Sequence, residues 1–236
     1  MTYHYSEDLE KTSRRLFPFY LGIVFLAPFP LGANRPWAWG LLAIAAFTLL
    51  AIYCFQFSRG KVRLPFISLN TKFVLFLLFS WVFYQLVQII PLSHDILNIL
   101  NPFRVGIDEN IKHLGNTSSI SIDRMTTLVE QLKSSIYAVM FLLTLLLVHR
   151  RDRLRTLLLT IIVAGVSQAV IGIALYLLSQ SQTIEVFGVY ITDSVKGTFI
   201  NRNHFAGFIN LSIAASVGLL IAVGFRERRK IHRGDL

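Results

Sequence analysis

The longest stretch of the chain without a charged residue covers residues 156–184 and reads TLLLTIIVAGVSQAVIGIALYLLSQSQTI. A helix rises 1.5 Å per residue, so about 20 residues cross a hydrocarbon core of about 30 Å. This stretch exceeds that length and carries no Asp, Glu, Lys or Arg. It therefore predicts a helix that spans a membrane.

Other parts of the sequence repeat this pattern. Charged residues are also absent from residues 16–34, 36–58, 73–93, 134–148 and 205–225. The stretch 134–148 would reach only about 22 Å, so we expect its helix to begin earlier, near Leu128. The whole chain is 54% hydrophobic and 15% charged, whereas soluble domains are roughly 25% charged. The predicted fold class is all-α: a polytopic integral membrane protein with about six transmembrane helices.

The charges divide unequally between the two sides of this arrangement. With a cytoplasmic N-terminus, the inner segments hold 16 basic and six acidic residues, and the outer segments hold seven of each. The formal net charge of +10 is thus entirely an inner charge. Because Lys and Arg are enriched in cytoplasmic segments, we predict that both termini are cytoplasmic. The predicted division is a tail over 1–15, a six-helix transmembrane domain over 16–225 and a basic tail over 226–236.

The basic clusters lie at helix ends, and residues 149–155 are an example. At such positions Lys and Arg orient the protein and contact anionic lipid headgroups. We therefore predict membrane lipids as partners and no nucleic acid.

The outer segments contain the remaining features. The longest is the outer loop 94–133, in which two apolar patterns predict short surface helices, the second beginning near Met125 and running into the fourth span. The apolar residues of the first pattern are Ile96, Leu97, Ile99, Leu100 and Phe103.

The outer motif segment 185–204 leads into the last span, and residues 196–207 read KGTFINRNHFAG. A helix N-terminus carries partial positive charge, and Arg202 with Lys196 nearby would make it suited to phosphate. Equally, Asn201 or Asn203 would cap the helix while Arg202 anchors it at the membrane interface. For His204 we expect capping or a hydrogen bond within the bundle, because no acidic residue nearby in the sequence orients it as a base.

The first outer turn, residues 31–39, reads LGANRPWAW. Arg35 is its single basic residue, and it either extends to the interface or holds an anion. The six histidines are scattered and the chain has one cysteine, so the sequence predicts no metal site and no cofactor.

The segment GTFINRNHFAG, residues 197–207, resembles the O-antigen ligase and O-antigen polymerase family, polytopic membrane proteins of bacterial surface-polysaccharide assembly. Further parts of the chain are similar to that family in the same order. They are the turn 34–39, residues 121–123 with the amphipathic helix that follows, the basic cluster 150–155, Gly165 and residues 168–172.

The resemblance implies a role in lipopolysaccharide or exopolysaccharide assembly. The reaction would transfer an undecaprenyl-pyrophosphate-linked glycan, at the periplasmic face of the bacterial cell inner membrane, to a lipid or glycan acceptor without a metal. Arg202, Arg35 and Lys196 are then candidates for binding the pyrophosphate of the substrate. Asn201, Asn203 and His204 would support that site, and no catalytic residue is identified.

The chain also departs from the family. Its members usually have ten or more spans and a large, later outer loop with further essential basic residues, including a histidine that His204 does not replace. We therefore expect a truncated or split half of such a glycosyltransferase, completed by a second polypeptide. The alternative is a non-catalytic membrane scaffold, or a protein that binds the lipid-linked glycan within a polysaccharide assembly complex.

Overall fold

A computed structural model describes the backbone of residues 2–62, 64–110, 117–180, 183–191 and 194–234. Side chains are described from Ser13 to Gly224, apart from residues 63, 108–116, 181–182 and 191–193. The chain forms two compact units, Met1–Pro65 with Leu143–Leu236, and Phe66–Leu142. We call them the first and the second unit.

Helices make up most of the described residues. They are α1 (Thr2–Leu26), α2 (Pro36–Ser58), α3 (Leu69–Ile89), α4 (His94–Leu100), α5 (Pro102–Asn110), α6 (Arg124–Leu147), α7 (Arg151–Ser179) and α8 (Arg202–Gly234). Two short antiparallel pairs complete the described secondary structure, β1 (Leu92–Ser93) with β2 (Thr117–Ser118) and β3 (Ile184–Val186) with β4 (Val189–Ile191).

Five helices within the described residues are long and apolar enough to cross a membrane, namely α2, α3, α6, α7 and the part of α8 up to Gly224. The prediction of a helical, multi-pass membrane protein is confirmed at this level. The expected early start of the fourth span is also confirmed, because α6 begins at Arg124 and is continuous to Leu147. Its 24 residues make a helix of about 36 Å.

The first apolar stretch differs from the prediction, because residues 16–34 do not form one helix. Helix α1 ends at Leu26, and a short 3₁₀ helix, Leu31–Ala33, follows a turn. Pro28 and Pro30 lack the N–H groups that would continue the helix, and Gly32 adopts a positive φ of 64°. Helix extends into both predicted tails, since α1 begins at Thr2 and α8 continues to Gly234.

Helix α1 lies along α7, and polar contacts mark both ends of the pair. Near one end, Arg153 Nη1 donates to Ser13 Oγ at 2.7 Å. Near the other, Pro28 O accepts from the Thr198 hydroxyl, which is itself bonded to Gln168. The chain separation from Ser13 to Pro28 equals that from Arg153 to Gln168. The two segments thus run in parallel for about 22 Å.

Arg153 corrects the interpretation of the cluster 149–155 as a set of headgroup contacts. Its side chain is buried, and Nη1 also donates to Leu147 O at the end of α6, at 2.8 Å. Its guanidinium lies 5.2 Å from the centre of the Phe17 ring, within the range of a cation–π contact. The other arginines of the cluster are exposed. Arg153 therefore stabilises the packing of α1, α6 and α7.

The most extensive helix pairing is between α7 and α8. Gly165 faces Ser212, whose hydroxyl lies 3.1 Å from Phe208 O in its own helix and 3.2 Å from Ile161 O across the pair, so the two carbonyls share its one proton. Small residues let membrane helices approach closely, and hydroxyl groups bond across them. This contact explains the lack of a side chain at Gly165.

The second unit contains α3, α4 and α5 and most of α6. The predicted first surface helix is broken into α4 and α5, because Asn101 Oδ1 accepts from Arg104 N at 3.2 Å and Pro102 begins a new helix. Of the apolar residues predicted there, Leu97 is fully buried, whereas Ile99 is 84% and Phe103 75% exposed. The apolar surface expected of an interfacial helix is thus present on α4 and α5.

The start of α6 is capped by Asp123. Thr126 donates to its carboxylate twice, from the hydroxyl at 2.6 Å and from the backbone N–H at 3.0 Å. These hydrogen bonds stabilise the ionised form, first through the hydroxyl, and lower the pKa of Asp123 from its ordinary value. Asp123, the last of residues 121–123, thus serves as the cap of the amphipathic helix that follows.

We predict that Gly165→Ala destabilises the first unit. The added Cβ would lie 2.5 Å from Ser212 Cβ, so α7 and α8 must separate, and such overpacking costs about 1–3 kcal/mol. The measurement is the thermal unfolding midpoint in detergent. Gly218→Ala in α8 is the matched control, because no atom lies within 4 Å of the Cβ position there. Equal midpoints for the two variants would contradict the prediction.

Candidate functional site

Residues 197–199 of the outer motif segment are buried against α7 and the first turn. Thr198 N donates to Gln168 Oε1 at 3.1 Å, and Gln168 Nε2 donates to Thr198 Oγ1 at 3.0 Å. Thr198 Oγ1 lies 3.1 Å from Pro28 O and 3.2 Å from Gln168 Oε1. Because Oε1 already accepts from Thr198 N, we assign the hydroxyl proton to Pro28 O. We call this set of three residues the Gln168 node.

Glycines allow the segment to approach α7. Gly197 has a positive φ of 56°, and a Cβ there would overlap Gln168 Oε1. On α7, a Cβ at Gly172 would lie 2.8 Å from Gly197 N. Both positions thus exclude a side chain, which explains the glycines that begin the motif and follow Gln168 in the sequence.

Phe199 joins the same segment to the first outer turn. Its ring is 6.0 Å from the Phe205 ring and 5.8 Å from the Phe208 ring, both on α8. A Cβ at Gly32 would overlap the Phe199 ring, so the turn packs directly on it. The contact fixes the turn against the motif segment.

This packing brings the two predicted arginines to one end of the first unit. Arg35 immediately precedes α2 and Arg202 begins α8, and both side chains are exposed. Gly32 and Phe199 are in contact, and Arg35 lies three residues after Gly32, as Arg202 does after Phe199. Three residues of chain span at most about 11 Å. The described contacts include none between the two arginines themselves.

Asn201 caps α8. Its Oδ1 accepts from Asn203 N at 2.8 Å, and its carbonyl accepts from Phe205 N at 3.2 Å. The capping alternative is therefore confirmed for Asn201. The side chain of Asn203 is exposed and only its backbone takes part.

The other two predicted residues are placed differently. His204 is exposed, and its side chain forms no hydrogen bond with the part of the chain that the structure describes. Neither the expected cap nor the expected hydrogen bond within the bundle is seen for this side chain among the described residues. Lys196 is half-buried, and Nζ lies 3.5 Å from Tyr190 O.

Sequence reasoning missed the Gln168 node. Gln168 is completely buried, and its partners Thr198 and Pro28 are far away in sequence. One signal was available: Gln168 is the polar residue with the strongest hydrogen-bonding capacity in the middle of the longest apolar stretch, and glycines flank it at 165 and 172. Buried amides in membrane helices need partners.

No three His, Cys, Asp or Glu side chains come together as a metal site among the described residues. Comparison of the chain with models of protein families, with curated proteins and with solved structures gives no match.

We predict that Thr198→Val destabilises the first unit by about 1–3 kcal/mol, the cost of buried polar groups left without partners. The change keeps the shape of the side chain and removes the hydroxyl, so Gln168 Nε2 loses its acceptor, while Pro28 O keeps only the hydrogen bond from Gly32 N. Thr198→Ser keeps the hydroxyl and is the control. Unfolding in detergent would measure both, and a valine variant as stable as the serine variant would contradict the role of the node.

Proposed function

We propose that this chain contributes to the transfer of an undecaprenyl-pyrophosphate-linked glycan, as an O-antigen ligase- or polymerase-like protein of surface-polysaccharide assembly. One observation carries the proposal. In the segment that resembles the family, Gly197, Thr198 and Phe199 are buried, and Arg202 is exposed three residues after Phe199. The buried Phe199 also contacts the turn that precedes Arg35.

The chemistry of the reaction suits this arrangement. Departure of a pyrophosphate requires positive charge where negative charge develops, and guanidinium groups bind phosphate oxygens in pairs. Arg202 adds its charge to the N-terminus of α8, of which the Asn201 cap uses one N–H group. Arg35 lies at the same end, and Lys196 is part of the connecting segment.

A second function, binding of the lipid-linked glycan without catalysis, is favoured by the surroundings of His204. A general base is usually oriented by an acid, and no carboxylate among the described side chains contacts this histidine. In the catalytic alternative, a second polypeptide supplies the missing helices and the further basic residues.

For the location we propose the bacterial inner membrane, six spans, and both termini in the cytoplasm. The excess of basic residues on one side supports the orientation. The sixth span would be α1 with the turn after it. Its support is the parallel course of α1 and α7 over about 22 Å.

Alkaline phosphatase fusions test this topology in bacterial cells. We expect active enzyme from junctions after Ala33 and after Gly188, and inactive enzyme from junctions after Gly60 and after Arg150. The Ala33 junction tests α1 specifically, because an inactive fusion there would remove α1 from the spans. Activity at Gly60 and Arg150 would reverse the orientation.

We predict that Arg202→Ala reduces polysaccharide transfer by at least about a hundredfold, the usual effect of losing one group that stabilises developing negative charge. The measurement is surface polysaccharide made by cells in which the variant replaces the natural chain. Arg59→Ala removes an equal charge from the end of α2 and is the control. Both variants must insert into the membrane at the level of the natural chain.

Wild-type polysaccharide from Arg202→Ala would contradict a role for this residue. Binding of purified lipid-linked glycan separates the two functions. If the natural chain binds the glycan but polysaccharide production does not require it, the non-catalytic alternative holds, and Arg202→Ala should then weaken binding.

A further inference from the structure

A groove of about 380 Å³ lies between α1 and α7. Its walls are Leu21, Gly22, Phe25, Thr156, Leu159, Thr160 and Val163. It is located between the two polar contacts that mark the ends of the helix pair, the Arg153 contact and the Gln168 node. No atom lies within 4 Å of a Cβ built on Gly22, so there is open space beside this residue.

The groove is apolar although two threonines line it. Thr156 Oγ1 donates to Asp152 O and Thr160 Oγ1 donates to Thr156 O, both at 2.9 Å. Each hydroxyl proton is therefore used within α7. The surface that remains suits a hydrocarbon chain and offers little to a polar ligand.

Exposed arginines flank the end of the groove near Arg153. On α7, Arg151, Arg155 and Leu159 follow one another at four-residue spacing, so they lie on one side of the helix. On α1, Arg15 is two turns from Gly22 on the same side. All three arginines are exposed. Asp152 is exposed beside them, so the local charge remains positive.

The opposite end of the groove has a different character. Phe25 packs on Phe29 with ring centroids 5.1 Å apart, next to the turn that contacts Thr198. Positive side chains are thus concentrated at one end, and it is the end remote from Arg202 and Arg35. A lipid carrier with its pyrophosphate at Arg202 would have its head at the wrong end of this groove.

We propose that the groove is a binding site for an anionic phospholipid. One acyl chain lies between α1 and α7, and the phosphate lies among Arg15, Arg151 and Arg155. The lipid covers the apolar walls and neutralises arginines that would otherwise repel one another. This site is separate from the proposed glycan site and does not depend on it.

The test uses the full chain purified in detergent, with phosphatidylglycerol and phosphatidylcholine as probes and native mass spectrometry as the measurement. We expect the chain to retain phosphatidylglycerol preferentially. Gly22→Leu fills the open space and should weaken phosphatidylglycerol binding at least about tenfold, since it displaces two or more methylene groups. Gly218→Leu in α8, also a glycine with open space around it, should bind like the natural chain.

The double variant Arg15→Gln with Arg155→Gln tests the headgroup contacts. It should weaken phosphatidylglycerol binding roughly thirtyfold, because each arginine near a lipid surface contributes about fivefold. Phosphatidylcholine binding should not change. Val163→Phe fills the groove from α7 and repeats the test if circular dichroism finds that Gly22→Leu is unfolded.

Three results would overturn the proposal. They are equal retention of the two phospholipids by the natural chain, full phosphatidylglycerol binding by both groove-filling variants, and displacement of bound phosphatidylglycerol by a polyprenyl phosphate at equal concentration. The last result would make the groove part of the glycan-carrier site. Loss of polysaccharide in Arg202→Ala cells has no bearing on these outcomes, so the two proposals fail independently.

Discussion

The arrangement of the first unit depends on one buried amide within a membrane span. Gln168 is about 26 Å from the start of α7, toward the far end of a helix that would cross a hydrocarbon core of about 30 Å. A non-helical segment at this depth needs internal partners for its backbone. Gln168 supplies an acceptor to Thr198 N and a donor to Thr198 Oγ1. The Thr198 hydroxyl in turn donates to Pro28 O. Through Thr198, the Gln168 side chain therefore connects α7 to the motif segment and to the turn after α1.

A second polar contact, at Arg153, fixes the opposite end of the α1–α7 pair. Its guanidinium is buried, but hydrogen bonds to Ser13 and Leu147 and the face of Phe17 compensate for the lost hydration. Helix α1 has only a short apolar section before its turn, and such a section pairs weakly through packing alone. Polar contacts at both ends fix its register on α7. The apolar surface between them then forms the groove.

Sequence patterns predicted the parts of the structure that are local. Absence of charge identified α2, α3, α7 and α8, and the amphipathic pattern after residue 123 gave α6 its early start. The first stretch was predicted as one helix because hydropathy does not register the missing N–H groups of Pro28 and Pro30. Apolar spacing predicts one continuous surface helix, because spacing alone does not register the break that the Asn101–Pro102 step makes. These errors concern where helices end, and turn chemistry decides that.

The sequence could indicate the charged residues of the candidate site, but not the buried contacts that hold their backbone. Arg35 is the single basic residue of its turn, and Lys196 and Arg202 lie at the start of a span, so the sequence marks all three. The Gln168 node joins residues separated by 30 and by 170 positions, and no spacing rule relates such partners. An arginine that only anchors a helix at an interface needs a long side chain and nothing more. Arg202 instead follows a buried stretch in which Gly197 and Thr198 contact Gln168, and Phe199 packs on Gly32 and α8. A rigid backbone beneath an exposed cation is what the binding of an anion in one orientation requires, and the anion-binding role proposed for Arg202 depends on it.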